Sequence, residues 1–492
     1  MATPRVTTTE VDGGLNNTKN LSGQPMAVVG PAASGSFNPQ VFRSKTDLVA
    51  EYGSAGAALD AACYALDLGA SSVVVVRTAS GNSSSYSTLD DSGVTGTCTP
   101  SVDSNVVPLD EYQVYIEVVS GGVIATSGIK YRYSLDGGTT FGPVYPLGTA
   151  TSITLPAFTG GVKVNLSAGT LVAGDSFSFE AFPETFTDGE LSTALDSLAS
   201  TSKDWEFVLV ALDVDATMAM TVATWLATLH SQNKHKFGIV SFRAQSSTET
   251  ANDYLTAFET FRGAVESSDL VVTADRCDLL SSIPGVSGRL RRPPSLAIAG
   301  LVSVMSPETD GAALDSKYAN DRGPLLGVSI KDSNGNPVYT DATLGVGSAL
   351  DDLQATVLRS WQGYSGTYIN NLRLLSSPDS DATWLQHRRV LNLARGLFYQ
   401  AAVRILSKPL QVDRRTGFLS EKQIQSIEAR INAILQTGLL VKPMASAVKF
   451  TASRNDPILT NPFRFSGRLS ILPLAYAKEI TAEVAFVATL AA

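Results

Sequence analysis

Short apolar runs alternate with helical patterns over the first eighty residues. Met26–Gly30 is a compact apolar run, and residues 44–52 and 57–68 each place apolar side chains at helical spacing. Residues 72–77 follow as Ser-Val-Val-Val-Val-Arg, a β-branched run typical of a strand that is buried on both faces of a sheet. This strand–helix–strand order predicts an α/β layer.

A period-two alternation replaces this pattern between Tyr112 and Phe182. Residues 112–118 are Tyr-Gln-Val-Tyr-Ile-Glu-Val, and glycine-containing turn signals occur at residues 136–138 and 160–161. Such short alternating segments, separated by turns, predict a small all-β module, either a sandwich or a barrel. Because α/β patterns flank it on both sides, we interpret residues 96–187 as an inserted domain.

The α/β pattern resumes at residue 188. Three helical segments alternate with three short apolar strands, which predicts a largely parallel sheet with helices on both sides. The helices are expected at residues 188–200, 217–229 and 251–265, and the strands at 207–212, 237–242 and 270–273. We therefore expect residues 21–95 and 188–383 to form one discontinuous α/β core.

The last segment, residues 384–492, predicts an α+β domain. Two long amphipathic helices are expected at residues 384–406 and 420–438, the second with a capping box at Ser420 and Gln423. The chain ends in an alternating strand pattern with one apolar side, formed by Ile480, Ala482, Val484, Phe486, Ala488 and Leu490. At the other end, residues 1–20 are polar and lack a hydrophobic period, which indicates an extended arm or simple terminal disorder.

Charge is distributed unevenly along the chain. The 492 residues carry a net charge of −9, but residues 384–492 hold 15 Lys and Arg against 6 Asp and Glu, a net of +9, which leaves −18 for the rest. An acidic protein of pI about 5.0 does not have the basic footprint of a nucleic-acid-binding protein. The basic segment predicts an acidic partner, and its candidate residues are Arg388, Arg389, Arg414, Arg415, Lys442 and Arg454.

The three cysteines, Cys63, Cys98 and Cys277, contain no CxxC pair, so neither a disulfide framework nor a zinc site is expected. The N-terminus lacks the apolar core of a signal peptide, and no apolar run reaches the length of a membrane helix. We expect synthesis in a reducing cytoplasm and no membrane insertion.

Catalytic patterns are weak throughout. The three histidines, His230, His235 and His387, are expected at helix ends or on exposed faces, outside any HExxH or related motif. Residues 30–36 resemble a phosphate loop only in outline, because Ser36 stands where the essential lysine would be. Asp213 and Asp215 follow a predicted strand and could bind a metal, although capping of the next helix is the preferred interpretation. No cofactor and no enzymatic activity are expected.

A short basic run, Arg289-Leu-Arg-Arg-Pro-Pro294, could contact nucleic acid. It has no interleaved aromatic residues and lies in acidic surroundings, so an interface or a solvated loop is favoured instead.

The order of these parts resembles the tail sheath proteins of contractile phage tails and related injection systems. Three features carry the resemblance: the opening strand, turn and helix of residues 23–53; the helix, glycine and strand of residues 61–77; and the C-terminal domain with Arg454-Asn-Asp-Pro457 and Arg464-Phe-Ser-Gly-Arg468. The residues 3–10 depart from the usual start of that family. The insertion at 96–187 is similar to the variable outer domain of many phage sheaths.

The resemblance implies a structural subunit that polymerises helically around an inner tail tube and contracts to drive the tube through a cell envelope. It implies that an N-terminal arm, including Val6 and Thr8, and the terminal strand with Ile480, Ala482, Val484, Phe486 and Ala488 complete the sheets of neighbouring subunits. The basic residues of 384–492 would face the tube. The implied partners are further copies of the chain, the tube protein, baseplate proteins and a tail terminator, all in a virion tail assembled in the host cytoplasm.

Two other functions remain open at this point. A baseplate or other structural component would not form helical polymers. An α/β enzyme would depend on Asp213 and Asp215. The β insertion could in addition bind a receptor.

Overall fold

The structure is a computed structural model that describes residues 25–246, 248–286, 288–314, 346–359, 361, 363–364, 368–377, 379–456, 458–459 and 465–478. It divides into two compact units, residues 1–385 and 386–492.

Unit 1 begins with a strand–helix–strand segment. Its elements are β1 (Met26–Gly30), β2 (Gln40–Phe42), α1 (Lys45–Tyr52), α2 (Ala57–Asp67) and β3 (Val73–Arg77). The Ser44 side chain caps α1 by accepting hydrogen bonds from the N–H groups of Thr46 and Asp47. Gly53 ends the helix with φ at 85°, a conformation that a side chain disfavours.

A module of antiparallel strands follows, and it is part of unit 1. Its strands are β4 (Ser85–Tyr86), β5 (Asp90–Gly93), β6 (Pro100–Val102), β7 (Tyr112–Ser120), β8 (Gly122–Val123), β9 (Lys130–Ser134), β10 (Tyr145–Pro146), β11 (Ser152–Thr154), β12 (Lys163–Leu166), β13 (Thr170–Leu171) and β14 (Ser176–Phe182). The main sheet has the order β10-β9-β7-β14-β4, with β5 also pairing β14, and a second sheet has the order β11-β12-β6. Alternate residues of β7 are buried, as the period-two pattern predicts.

The two connections of the module to the rest of unit 1 run side by side. Asn82 and Thr185 exchange backbone hydrogen bonds of 2.9 and 3.1 Å, and the N–H of Gly81 also donates to Thr185. The chain therefore leaves and re-enters the α/β body at one place. The first strand of the module, β4, begins at Ser85. The inserted domain at residues 96–187 stays a prediction.

The α/β body continues with α3 (Asp188–Ser200), β15 (Phe207–Asp213), α4 (Ala216–Ser231), β16 (Phe237–Ser241), α5 (Ala251–Ala264) and β17 (Leu270–Thr273). Its six-stranded sheet has the order β17-β16-β15-β1-β3-β2. All neighbouring strands are parallel except β2, which is antiparallel to β3. The predicted mainly parallel sheet is present.

Helices cover both faces of this sheet. Met26 and Val28 of β1 belong to a core with α1 and α2, whereas Ala27 and Val29 belong to a second core with α3, α4 and α5. Burial on both faces explains why these strands are continuous apolar runs without alternation.

The rest of unit 1 contains β18 (Cys277–Leu280), β19 (Arg289–Arg292), α6 (Pro294–Val304), α7 (Val346–Asp352), β20 (Leu358–Arg359) and β21 (Tyr368–Ile369). Strands β18 and β19 form an antiparallel hairpin. Helix α6 packs closely on α2, since a side chain at Gly300 would collide with Tyr64.

Unit 2 contains α8 (Leu385–Val403), α9 (Glu421–Leu439), β22 (Ala447–Ala452) and β23 (Gly467–Leu472). Strands β22 and β23 are antiparallel neighbours in a two-stranded sheet. Ser420 caps α9, and its hydroxyl accepts from the N–H of Gln423, which is one of the two bonds of the predicted capping box.

Candidate functional site

The residues predicted to complete neighbouring sheets cannot be located. Val6 and Thr8 of the arm, and Ile480, Ala482, Val484, Phe486 and Ala488 of the terminal strand, lie outside the described residues. Their predicted role, pairing with the sheet of another copy, requires a sheet edge in unit 2 that can accept a strand.

The β22–β23 sheet is supported on one face by α9. Ile424, Ile427, Ile431 and Leu435 occupy helical spacing on α9 and are all buried. Val448, Phe450 and Ala452 are the buried residues of β22, and they alternate with exposed ones. One face of the sheet thus packs on the helix.

The outer edge of β22 is covered by side chains of α9. The Asn432 side chain accepts from the N–H of Phe450 at 2.6 Å and donates to its carbonyl at 3.0 Å. Glu428 accepts from the N–H of Ala452 at 2.8 Å. These bonds satisfy the outward N–H and carbonyl of Phe450 and the outward N–H of Ala452, so this part of the edge is occupied by α9.

The edge of β23 is different. Among the described residues, β23 pairs with β22 alone. Asn432 binds the N–H and the carbonyl of Phe450, so the backbone groups of Phe450 point away from β23. Leu469 lies opposite Phe450, and its own N–H and carbonyl therefore point away from β22. The same holds for Ile471, two residues further along β23. A row of outward backbone donors and acceptors is the feature that a strand from another chain would bind.

An apolar cavity of about 570 Å³ lies beside this sheet in unit 2. Phe398 and Ile405 line it from α8 and the turn after it, Phe450 lines it from β22, and Leu459 and Phe465 complete it. Leu406 and Leu459 are 73% and 58% exposed. These two leucines extend the apolar surface around the cavity.

The six candidate basic residues separate into two groups. Arg414, Arg415 and Lys442 are exposed, and Arg454 is exposed but bound to Glu428 at 2.6 Å and to Glu421 at 3.3 Å. Arg388 and Arg389 are only 7% and 2% exposed. This differs from the expectation of an open basic helix, because the first two turns of α8 are buried and their arginines are not available at the surface.

A buried charge cluster, which sequence reasoning missed, lies in unit 1. Arg292 of β19 is 2% exposed and donates to both carboxylate oxygens of Asp110, at 2.5 and 2.7 Å, and to Asp60 of α2 at 3.1 Å. The N–H of Gly56 also donates to Asp110, at 2.8 Å. We name Arg292, Asp60 and Asp110 the junction cluster, because it joins α2, β19 and the loop that leads into β7 of the module.

The sequence contains a signal for this cluster. Asp60 stands alone in the otherwise apolar run of residues 57–65, where an unpaired carboxylate would be costly to bury. Burial raises the pKa of Asp60, and the Arg292 guanidinium opposes that shift. The basic run at residues 289–294 is therefore part of a structural hairpin instead of the expected interface or loop.

Asp213 and Asp215 do not form a metal pair. Asp213 forms a two-pronged ion pair with Arg276, and Asp215 caps α4 by accepting from the N–H of Met218 at 2.8 Å. The capping interpretation of Asp215 is confirmed. Glu111 lies near Arg276, and burial raises the pKa of its carboxyl group.

These groups border a cavity of about 730 Å³ between the inserted module and the carboxyl edge of the parallel sheet. Its polar walls are mainly the paired side chains just described. Within the described ranges, no group of three or more His, Cys, Asp or Glu residues could hold a metal ion. His230 contacts the carbonyl of Lys236 at 2.8 Å and lies 3.5 Å from Asp269. In the part of the chain that is described, no helix is both long and apolar enough to cross a membrane.

Comparison with known proteins gives a family and a fold. The sequence model of the N-terminal domain of DUF2586 matches residues 3–373. No curated protein sequence matches the chain.

Among solved structures, the contracted helical sheath of the anti-feeding prophage aligns over 99% of both chains, with a TM-score of 0.51 and 12% identity. A chain of the contracted anti-feeding prophage baseplate gives a TM-score of 0.49 with 14% identity, over 99% of this chain and 98% of that one. The sheath tail protein Lin1278 from Listeria innocua gives 0.43 with 12% identity, over 92% and 96%. At such identities the first likeness establishes a shared fold, and the resemblance to contractile sheath proteins is confirmed at that level.

Proposed function

The chain belongs to the DUF2586 family, and from its sheath-like fold we propose that it is a structural subunit of a contractile tail sheath. The single observation that carries the proposal is the fold likeness to a contractile sheath along 99% of both chains. Many copies would polymerise helically around an inner tail tube, with baseplate and terminator proteins at the ends. The assembly would be part of a virion tail or injection apparatus, and the chain would act without catalysis or a cofactor.

The β22–β23 sheet supports this proposal because α9 occupies the β22 edge at Phe450 and Ala452, whereas within the described ranges β23 has no second strand beside it. The terminal strand with Ile480, Ala482, Val484, Phe486 and Ala488 of a neighbouring copy would pair with β23, and the arm with Val6 and Thr8 would extend the same mesh. Each added backbone hydrogen bond contributes roughly 0.5–1.5 kcal/mol net. A few such bonds per strand give a link that persists while the bodies it joins rotate.

The exposed basic residues Arg414, Arg415 and Lys442 would contact an acidic tube. Contacts between exposed charges are individually weak and are screened by salt. They could therefore break when the sheath contracts, while the strand mesh stays connected. The extended sheath would be metastable, and contraction would increase contact between the α/β bodies.

The direct test is negative-stain electron microscopy of the purified full-length chain. We expect helical polymers, and truncation after Lys478 should leave soluble, folded chains that no longer polymerise. Wild-type chains that stay monomeric under every assembly condition would exclude the sheath function. Short rings or discs without helical extension would favour a baseplate component instead.

A substitution in β23 tests the open edge itself. Ile471→Pro removes an N–H that points away from β22, so the hairpin should fold while strand addition fails. Ile471→Ala is the matched control, because it removes the same side chain and keeps the N–H. Normal polymers from Ile471→Pro would show that β23 is not the receiving strand.

A further inference from the structure

One end of the inserted module carries almost no charge. Residues 92–102, 118–129, 147–157 and 164–174 together contain 45 residues and no Asp, Glu, Lys or Arg. At the chain average of 17% charged residues, a stretch of this size would hold about eight. These four segments also contain no aromatic residue.

The four segments meet in space. The N–H of Val118 donates to the carbonyl of Asp175 at 2.8 Å, and the N–H of Ile124 donates to that of Gly169 at 2.9 Å. Further backbone bonds join Cys98 to Thr170 at 3.0 Å and Leu147 to Ile129 at 2.9 Å. We call this group of segments the distal tip.

Most of the distal tip lies away from the α/β body, and only residues 155–157 run back toward Phe158, whose carbonyl accepts from the hydroxyl of Tyr112 at 3.1 Å. Strand β7 starts at Tyr112, next to the junction cluster, and ends at Ser120 in the tip. Nine residues of extended strand span about 30 Å. Asp175, whose side chain is bonded into the tip, is 1% exposed, and its carboxylate accepts from Thr95, Gly96 and Val172. Lys130 and Lys163 border the tip, where they pair with Ser120 and Thr154.

Three valines of the tip are open to solvent. Val119, Val123 and Val172 are 42%, 51% and 46% exposed. Their segments are packed tightly together, because a Cβ at Gly121 would lie 2.5 Å from the carbonyl oxygen of Leu171. A preorganised, uncharged and apolar surface loses little entropy when it binds a partner.

Charge decides which partner fits. Residues 96–187 hold 8 acidic residues against 3 basic ones, and residues 1–383 have a net charge of −18, so copies of this chain repel one another over most of this surface. At the distal tip, where the four segments carry no charged residue, this repulsion between copies is weakest. A membrane surface fits poorly, because interfacial anchors use Trp or Tyr and basic residues, which the tip lacks. We propose that the distal tip is a contact surface between copies of this chain.

This inference rests on the proposed sheath function, because a patch of three valines is too small to hold two free copies together. In a helical array each tip is held close to the tip of a neighbouring copy, so its effective concentration is high and a weak contact can form. The free energy of this contact adds to that of the strand pairing between copies. The tip would therefore stabilise the lattice without driving its formation.

Disulfide trapping in assembled polymers tests the contact. Val123→Cys places a thiol on the tip, and Val107→Cys is the matched control, with 44% exposure on the same module but outside the tip. The native Cys63, Cys98 and Cys277 are buried. Mild oxidation of polymers should give at least tenfold more dimer on a denaturing gel for Val123→Cys than for Val107→Cys.

Two results would overturn the inference. Equal yields of dimer from the two variants, in polymers of normal appearance, would reject the tip contact and leave the sheath function intact. Flotation of the full chain with phosphatidylcholine vesicles, abolished by Val123→Asp, would assign the tip to a lipid surface. Wild-type chains that form no polymers would instead contradict the sheath function itself.

Discussion

At the scale of single residues, the junction cluster fixes how three segments of unit 1 pack together. Arg292 connects carboxylates on two elements that are far apart in sequence, and all three side chains are almost fully buried. A buried ion pair contributes little net stability when it is compared with apolar packing, but the loss of one partner leaves an uncompensated charge. The cluster thus enforces one arrangement of α2, β19 and the loop before β7.

We expect Arg292→Met to lower the free energy of unfolding by about 3–5 kcal/mol, because Asp60 and Asp110 lose their counter-charge inside the protein. Urea denaturation followed by circular dichroism measures the change. Arg289→Met, in the same strand but only half-buried, is the control and should cost less than about 1 kcal/mol. Equal effects of the two substitutions would contradict the assigned role of the cluster.

The Glu111 carboxyl group predicts a pH dependence. Because its pKa is raised in the folded protein, the folded state holds the proton that the unfolded state releases above about pH 4.3. Its contribution to stability is therefore complete below that pH and is lost as the pH rises through the raised pKa. Glu111→Gln should flatten this decline in a series of melting curves from pH 4 to 8. An unchanged slope would show that Glu111 does not titrate in this range.

At the scale of elements, α9 determines which edge of the β22–β23 sheet is free. Asn432 imitates a neighbouring strand by both donating to and accepting from Phe450. This occupies the β22 edge at Phe450, whereas among the described residues no strand lies beside the outward groups of Leu469 and Ile471. We therefore expect a strand from another copy, where one is added, at the β23 edge.

Asn432→Ala should destabilise unit 2 by about 1–3 kcal/mol, since the backbone groups of Phe450 lose their partner. Gln425→Ala, on the exposed side of α9, is the matched control and should be nearly neutral. Hydrogen exchange at the Phe450 amide gives a second measurement, and it should accelerate only in Asn432→Ala. Unchanged exchange there would show that Asn432 does not protect this edge.

The elements also show what the sequence could and could not predict. Helices α3, α4, α5 and α9, and strands β15 to β17, lie within two residues of their expected positions, because caps and apolar runs define them locally. The hairpin of β18 and β19 was not predicted. Its two short strands are defined by their pairing with each other, and neither shows an alternation of apolar and polar residues long enough to be recognised. The burial of Arg388 and Arg389 was missed for a similar reason: no local pattern on α8 reports which turns are covered.

At the scale of the whole molecule, charge is separated along the chain, with −18 in residues 1–383 and +9 in residues 384–492. This asymmetry is visible in the amino-acid sequence, whereas the structure was required to identify which of the basic residues are accessible to a partner. The separation favours an arrangement in which the C-terminal segment contacts an acidic partner and the acidic remainder avoids it.

We expect the charge reversal Arg414→Glu, Arg415→Glu and Lys442→Glu to weaken co-sedimentation of the chain with purified tail tubes at least tenfold at low salt. The wild type should lose most of its binding between about 50 and 500 mM salt, because exposed charges are screened. Helical polymers formed without tubes should be unaffected. Salt-independent binding in the wild type would show that apolar contacts dominate instead.

The side-by-side connections at Asn82 and Thr185 carry one more consequence. The two chain segments that connect the module to the α/β body are held together by backbone hydrogen bonds. We therefore expect that the module can be replaced by another domain without a change in the α/β body. A foreign domain with neighbouring termini could be grafted there. A polymer of this chain would then display that cargo at regular intervals along its length.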